Sequence, residues 1–492
     1  MRVRNELNLD QTPLPAPGAA WEMSPPAGRE ADQRLCGLPS ALLPDWQEAF
    51  LAAFSQALSR YGSFRHHLES CVRCGACAPA CPFYQGTADP LNIPAARAGL
   101  ARQVYERFLA NPGPRRSASE LDLNLIEKWR VYFHQCSLCR RCALYCPLGL
   151  DTSEITFACR EILAAIGISS QAGSGGAAEI FRTGNQRGIM PSSWNQRHQG
   201  LEEELKRETG QSIACPVDEY GAEVLFLPPV EDLARHRVVY KAYAKLFHAA
   251  GVSWTVSTYM DEAANPGAWL GYRNMRLVQQ RVLEAARELQ PSLIVWGESG
   301  LGWRVASRFT PSMGLSWAAE NYLTHRAPMN IVEWAHHLYQ RGAFQGRLHP
   351  EANAGKVVTY HDPCHAARSC GLVAEPRRLL NAVCVWHEMP DNTVGRQTLC
   401  CGGGGGLYQG NPELALAGFL PRARVLAHMN QTHGCNWLAT ICDGCRTSLA
   451  RGLRHYRLGL SAGSVTELLA NALLPNRDNR GCDTSESAED AP

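Results

Sequence analysis

The fold of this chain is decided at residues 71–82, which read Cys71-Val-Arg-Cys74-Gly-Ala-Cys77-Ala-Pro-Ala-Cys81-Pro82. The same C-x2-C-x2-C-x3-C-P spacing recurs at residues 136–147, as Cys136-Ser-Leu-Cys139-Arg-Arg-Cys142-Ala-Leu-Tyr-Cys146-Pro147. In a pair of such motifs, the first three thiolates of each wrap one iron–sulfur cluster, while the fourth binds the other cluster. The repeat predicts two [4Fe–4S] cubane clusters, one held by Cys71, Cys74, Cys77 and Cys146 and one by Cys136, Cys139, Cys142 and Cys81.

A structural zinc site is the alternative interpretation of these cysteines. Zinc is typically held by paired C-x2–4-C knuckles rather than by two runs of four, so the spacing favours iron–sulfur clusters. Apolar residues recur every three or four positions around the motifs, which predicts helices at 43–70, 95–109 and 152–165. We therefore expect an α-helical two-cluster ferredoxin domain at 43–170, preceded by a flexible arm at 1–42.

The composition narrows the class of protein further. The 492 residues include 20 cysteines and carry a formal net charge of +2, from 48 Lys and Arg against 46 Asp and Glu. This balance offers no electrostatic basis for binding nucleic acid. The N-terminus lacks the apolar core of a secretory signal, and no run approaches the ~18 apolar residues of a membrane-spanning helix. We expect a cytoplasmic protein whose cysteines bind metal rather than form disulfides. The cysteines outside the motifs are expected to be ordinary thiols: Cys36, Cys159, Cys215, Cys370, Cys384, Cys435 and Cys482.

From residue 223 the pattern changes to short apolar runs that alternate with helical stretches. Strands are predicted at 222–228, 252–260 and 291–297, and again at 356–364, 383–389 and 436–442. Helices are predicted at 231–250, 273–289 and 412–430. The alternation indicates parallel α/β pairing, and its recurrence indicates a duplicated lobe. The expected fold class is α plus α/β: the ferredoxin domain, a linker at 171–222, two duplicated α/β lobes at 223–350 and 351–475, and a disordered tail at 476–492.

A third group of cysteines lies in the second lobe. It consists of Cys364, the pair Cys400-Cys401 followed by Gly402–Gly406, and Cys442-Asp-Gly-Cys445. Sites in an open parallel sheet form outside the carboxyl ends of the strands, so we expect these thiols to converge on one edge. Adjacent cysteine side chains diverge and suit a cubane poorly, which favours one non-cubane [4Fe–4S] cluster. Zinc and a vicinal disulfide are the alternatives.

The first lobe carries no equivalent group. At the corresponding positions it has Pro228–Glu231, then Asn265-Pro266-Gly267, and then roughly Gly297 and Gly300. The sequence therefore predicts one such centre rather than two.

The spacing C-x35-CCG-x39-C-x2-C resembles the CCG domain of heterodisulfide reductases. Its fusion to a ferredoxin domain resembles the D-type iron–sulfur subunits of those enzymes. The phrases at 64–100 (FRHHLES…), 132–156 (YFHQCSLC…) and 182–189 (RTGNQRGI) are similar to the DsrK family, the iron–sulfur subunits of the sulfite-reductase-linked membrane complex DsrMKJOP.

This resemblance implies a function in dissimilatory sulfur metabolism. The chain would exchange electrons between a membrane subunit that carries quinone and haem b and a small sulfur-carrier protein of the DsrC type. The reacting group would be a disulfide or trisulfide on the carrier's C-terminal cysteines. The protein would be attached peripherally to the inner membrane through its partner subunits.

The residues expected to carry this chemistry are Cys364, Cys400, Cys401, Cys442 and Cys445. His365 is the candidate proton donor, because thiol products need protons near neutral pH; capping of the adjacent turn by His361 and Asp362 is the alternative role for this segment. Two other functions stay open. One is the iron–sulfur subunit of a glycolate or lactate oxidoreductase, which needs a flavin partner, and the other is an electron-transfer subunit that never contacts substrate.

Overall fold

The computed structural model describes residues 26–110, 117–317 and 327–476. These residues form a helical N-terminal part followed by two α/β lobes, which confirms the predicted fold class. No helix within these ranges is long and apolar enough to cross a membrane. The predicted disordered tail with Cys482, apart from its first residue, and residues 1–25 of the predicted arm lie outside the described ranges.

The N-terminal part is a set of helices around a cluster of aromatic side chains. Its helices are α1 (Glu30–Leu35), α2 (Trp46–Arg60), α3 (Gly62–Ser70), α4 (Pro82–Thr87), α5 (Pro94–Val104), α6 (Leu123–His134), α7 (Arg141–Tyr145) and α8 (Thr152–Ala165). The buried Trp129 ring of α6 lies 5.0 Å from the ring centres of Phe50 and Phe133, and its Nε1–H donates to the Leu100 carbonyl at 3.2 Å. Because the two cysteine motifs begin at the ends of α3 and α6, this core fixes their relative positions.

The structure corrects the prediction of a linker at 171–222. This segment forms α9 (Gln171–Thr183) and α10 (Trp194–Thr209), and both helices bury apolar side chains in the core that holds the first sheet. Its small residues are there for packing, since a Cβ on Gly173 would lie only 2.9 Å from the Leu270 side chain. Glycine and serine content therefore indicated close helix contact here rather than a loop.

The described end of the arm, residues 26–42, is also part of the fold, against the prediction. Helix α1 packs on α9, and the buried Cys36 Sγ donates to the Ser174 carbonyl at 3.4 Å. Gln33 Nε2 donates to the carbonyls of Pro39 and Ser40 at 2.7 and 3.0 Å. Buried polar side chains with satisfied hydrogen bonds indicate a fixed conformation.

Each lobe contains a four-stranded parallel sheet. The first lobe consists of β1 (Val224–Leu227), α11 (Val230–Arg235), α12 (Arg237–Ala250), β2 (Trp254–Thr255), α13 (Tyr272–Leu289), β3 (Leu293–Trp296), α14 (Gly300–Arg304), β4 (Met329–Asn330) and α15 (Ile331–Gln340). The second consists of β5 (Val358–Tyr360), α16 (Ala374–Val383), β6 (Trp386–His387), α17 (Leu407–Gly410), α18 (Pro412–His433), β7 (Trp437–Thr440), α19 (Asp443–His455), β8 (Ser461–Ser464) and α20 (Val465–Leu473). The strand orders are β2-β1-β3-β4 and β6-β5-β7-β8, so the two lobes share one topology.

The strand register shows which residues of the two lobes correspond to each other. Asn330 and Ser464 begin α15 and α20 with the same capping box, and they pair with Trp296 and Thr440 of the neighbouring strands. Counting from these pairs, Glu298 of the first lobe corresponds to Cys442 of the second. The correspondence expected from the sequence, which matched Gly297 and Gly300 to the two cysteines, was therefore displaced by one residue.

Candidate iron–sulfur centres

The four cysteines expected to hold the second cubane are called the second ferredoxin set, and they surround one cavity. Cys81, which comes from the first motif, lines this cavity together with Cys136, Cys139 and Cys142. Burial raises the pKa of the Cys81 thiol, and the charge of the buried Arg97, which also lines the cavity, opposes this in part. The structure thus brings together the four residues that the motif spacing paired across the two motifs.

The two motifs share an unusual backbone conformation. Arg73 and Gly75 of the first motif have φ of 56° and 79°, and the corresponding Leu138 and Arg140 of the second have φ of 62° and 63°. A left-handed conformation costs a residue with a side chain roughly 1–2 kcal/mol. Its repetition in both loops indicates that wrapping three cysteine side chains around one point requires it.

The four cysteines expected to hold the first cubane, called the first ferredoxin set, lie near the surface. Cys74 is exposed, and Cys71, Cys77 and Cys146 are half-buried. Cys146 follows α7, which packs against the Ala78–Ala80 turn that follows Cys77. Apolar side chains beside these cysteines face solvent, among them Val72, which is 69% exposed, and Leu148, which is 50% exposed. This cluster position is thus open to contact by another molecule.

The five cysteines of the third group converge at the carboxyl edge of the second sheet, and all are buried. Neighbouring sulfurs interact in a row that runs from Cys139 of the second motif through Cys400, Cys401 and Cys445 to Cys442, and Cys364 packs with Cys139 and Cys400. The adjacent thiols of Cys400 and Cys445 hold the pKa of the Cys401 thiol well below its usual value, although burial raises it. A thiolate is the form that binds metal.

The same row of sulfurs joins the third group to the ferredoxin part, which is the helical N-terminal part of the protein. Cys139 belongs to the second ferredoxin set, it packs against Cys400, and its interaction with Cys400 is the largest cause of its raised pKa. Arg368 donates to the carbonyls of Cys139 and Thr398, tying the two regions together. A Cβ on Gly404 would lie 2.7 Å from the Ser137 carbonyl. The glycine run therefore allows the ferredoxin backbone to approach, besides donating the Gly402 N–H to Cys400 Sγ at 3.3 Å.

One residue at this site was missing from the set predicted from the sequence. A nitrogen of His361 and the sulfurs of Cys401 and Cys445 all lie within 4.8 Å of one another. His361 is fully buried, and neither ring nitrogen has a hydrogen-bond partner among the described residues. Leaving such a group unpaired is costly, so its surroundings fit a bound cluster that would satisfy it. The signal in the sequence was its position directly after β5, one turn before Cys364.

His365, the predicted proton donor, is also buried with both ring nitrogens unpartnered among the described residues. It lies outside the group formed by His361 and the two sulfurs. Burial, followed by the charge of Arg304, holds its pKa well below the usual value, so the imidazole is neutral at pH 7. Of the two histidines, His361 is the one with a ring nitrogen within 4.8 Å of two of these sulfurs.

Comparison with known proteins agrees with this division of the chain. Residues 67–150 match the family described as 4Fe-4S dicluster domain, and residues 358–450 match the CCG family, described as Cysteine-rich domain. Both matches indicate an iron–sulfur protein.

Similar proteins cover nearly the whole chain. The Hdr-like menaquinol oxidoreductase iron–sulfur subunit 2 of Archaeoglobus fulgidus is 33% identical over 470 residues, which is 88% of this chain and 84% of the relative. The Hdr-like menaquinol oxidoreductase iron–sulfur subunit of Archaeoglobus profundus is 31% identical over the same shares. The D-type subunit of the dihydromethanophenazine:CoB–CoM heterodisulfide reductase of Methanosarcina mazei is 26% identical over 82% of this chain and 94% of the relative. With such identity over most of both chains, and as the predicted resemblance to D-type and DsrK subunits implied, the protein belongs to the family of heterodisulfide-reductase-like (Hdr-like) iron–sulfur oxidoreductase subunits.

Proposed function

We propose that the protein exchanges electrons between a membrane partner that carries quinone and haem b and a disulfide or trisulfide on a small sulfur-carrier protein of the DsrC type. The observation that carries the proposal is the succession of thiols from surface to interior. The exposed Cys74 marks the outer end, and the contact of Cys139 with Cys400 joins the second ferredoxin set to the third group. Bound at these thirteen cysteines, two [4Fe–4S] cubanes and one non-cubane [4Fe–4S] cluster would supply one-electron transfer.

The two ends of the proposed electron path correspond to two half-reactions, one of the quinone and one of the sulfur carrier. Cleaving one S–S bond consumes two electrons and two protons and yields two thiols, and oxidising a quinol to a quinone releases the same number of each. The names of relatives refer to menaquinol and to a heterodisulfide, which supports this pairing of substrates. A lipid-soluble quinol also supports peripheral attachment to the cytoplasmic face of the inner membrane through the partner subunit.

A cavity beside the third group supports access by the end of a polypeptide arm. Its wall includes Tyr408 and Ser448, and the Ser448 hydroxyl donates to the Cys401 carbonyl at 2.7 Å. The cavity is lined by charges of both signs, among them Arg451 and Arg454 of α19 and the carboxylates Asp32, Glu179 and Glu231. In the proposal, Arg451 and Arg454 would attract the carboxylate at the C-terminus of an arm whose neighbouring cysteine must reach the site.

The protein's own residues would keep water from the reacting sulfur and pass protons to it. All five thiols of the third group are buried, so a substrate sulfur at this position is shielded from bulk solvent. In the proposal, His365 passes a proton as a neutral imidazole that accepts at one ring nitrogen and releases from the other.

The test is iron analysis and electron paramagnetic resonance (EPR) of the full chain, purified without dioxygen, oxidised and treated with a thiol. We expect about 12 iron atoms per chain and a radical-like signal induced by the thiol, since three four-iron clusters are involved. Cys401→Ser should abolish that signal and remove about four iron atoms, whereas Cys159→Ser, at a buried thiol of α8, should change neither.

Other outcomes separate the alternatives. About eight iron atoms in the wild-type protein would contradict the third cluster. A full complement without any thiol-induced signal would indicate an electron-transfer subunit, and co-purification of a flavoprotein would indicate a glycolate or lactate oxidoreductase.

A further inference from the structure

We propose that the cysteine-free first lobe forms one wall of the third centre and positions the Cys442–Cys445 ligand loop through Glu298 and Gly300. The inference rests on the proposed role of Cys442 and Cys445 as cluster ligands. It gives the first lobe, which has no cysteines of its own, a role in positioning the ligands of the second lobe.

Glu298 holds the ligand loop at both ends. It lies at the position equivalent to Cys442, yet it reaches across to the second lobe. Its backbone carbonyl accepts from Asp443 N at 2.7 Å, and its Oε2 accepts from Arg446 Nη1 at 2.7 Å. Asp443 and Arg446 each adjoin one of the two ligand cysteines, so a single residue of the first lobe holds both.

The remaining carboxylate oxygen of Glu298 is equally constrained. Oε1 accepts from Ser464 Oγ at 2.6 Å, from Thr466 Oγ1 at 2.8 Å and from Thr466 N at 3.2 Å. These donors lie where β8 meets α20, in the second lobe. The Glu298 side chain is fully buried, so every one of these bonds is protected from competition with water.

Arg446 extends the network back into the first lobe. Its Nη2 donates to Asp232 Oδ1 at 2.5 Å, and Asp232 Oδ2 accepts from Tyr243 Oη at 2.8 Å. Arg446 and Asp232 are buried as completely as Glu298. A guanidinium between two carboxylates of the other lobe has one favourable geometry, which fixes the start of α19 and with it Cys445.

Gly300 brings the wall into contact with a ligand sulfur. A Cβ on Gly300 would lie 3.3 Å from Cys442 Sγ and 3.5 Å from the Cβ of His365. The glycine thus leaves room for the sulfur, and the immediate surroundings of cluster sulfurs tune the reduction potential.

The experiment compares Gly300→Ala and Glu298→Gln with the wild type, as full chains carrying their clusters. Gly300→Ala should retain about 12 iron atoms but shift the EPR signal and the midpoint potential of the third centre, with both cubane signals unchanged. Glu298→Gln weakens the hold on the loop and should lower occupancy of the third centre, again with the cubane signals unchanged.

Two variants serve as matched controls. Asp261→Asn changes a fully buried carboxylate of the same lobe, and Gly176→Ala introduces a Cβ 3.0 Å from a neighbouring side chain, Pro266. Neither should alter the third centre.

The outcomes distinguish this inference from the proposed function. If the wild type has the third centre and Gly300→Ala leaves the spectrum and potential of that centre unchanged, the first lobe has no such role. This conclusion holds even if Glu298→Gln fails to fold. If the wild type lacks the third centre, the proposed function itself fails. Equal shifts in the control variants would show general strain and would also overturn the inference.

Discussion

The two α/β lobes share strand order, register and helix capping, but they differ in what lies at the carboxyl edge of the sheet. The second lobe presents five buried cysteines there, and the first presents the carboxylates Glu231, Asp232, Glu262 and Glu298. These carboxylates are engaged in ion pairs and hydrogen bonds, several with the second lobe. The duplicated fold has thus kept the location of the site in both lobes, while the residues at this location differ in what they bind.

Removing the cation shared by the lobes should have the largest effect on stability. In Arg446→Met, Asp232 and Glu298 lose their buried partner, and we expect the free energy of unfolding to fall by about 3–5 kcal/mol. Arg34→Ala, which breaks the exposed pair with Glu30, should cost at most about 1 kcal/mol. Denaturant titration of the full chains measures both. A loss in Arg446→Met no larger than that of the exposed pair would mean that the lobes are not coupled here.

Two glycines that the sequence places at corresponding positions, Gly402 and Gly267, allow a comparison of the two edges. A Cβ on Gly402 would lie 2.0 Å from the Ala415 carbonyl, and one on Gly267 would lie 2.3 Å from the Asn274 carbonyl. Substitution by alanine should therefore cost each lobe about 1–3 kcal/mol. Only Gly402→Ala should also lose iron, because Gly402 N–H donates to Cys400 Sγ. Iron analysis beside denaturation tests this, and equal iron loss in Gly267→Ala would refute the difference between the edges.

The acidic edge should make stability depend on pH. Burial raises the pKa of Glu262 from 4.5 to about 8, so between these values the folded protein holds a proton that the unfolded chain releases. The contribution of Glu262 is complete below pH 4.5 and is lost as pH rises toward 8, at about 1.4 kcal/mol per pH unit. Glu262→Gln should flatten the stability profile in this window, whereas Glu203→Gln, on the exposed face of α10, should leave its slope unchanged. An unchanged slope in Glu262→Gln would contradict the assignment.

Motif spacing predicted the ferredoxin sets and the third group because cysteine ligands must sit at fixed intervals along a short loop. The α/β duplication was also predictable, since apolar strands and helices alternate in order. Strand lengths were overestimated: 252–260 and 383–389 form only Trp254–Thr255 and Trp386–His387. Apolar residues beyond the sheet are buried by packing rather than by strand pairing, and periodicity does not separate the two.

Three features depended on contacts between distant residues and so escaped prediction. Residues 171–222 carry small residues because α9 packs closely, which composition alone presents as a loop. Glu298 gains its role from Arg446, 148 positions away. His361 lies beside the sulfurs of Cys401 and Cys445, which are remote from it in sequence. Each requires the tertiary arrangement of elements that are remote in sequence.

The exposure of Cys74 has a practical consequence for handling the protein. Dioxygen and chelators reach the outer ferredoxin position directly, whereas the third group is enclosed by two lobes and the ferredoxin part. Damage in air should therefore affect the outer ferredoxin position before the third group. In the electron path proposed above, such damage would leave the third group in place but cut off from the outer end of the path.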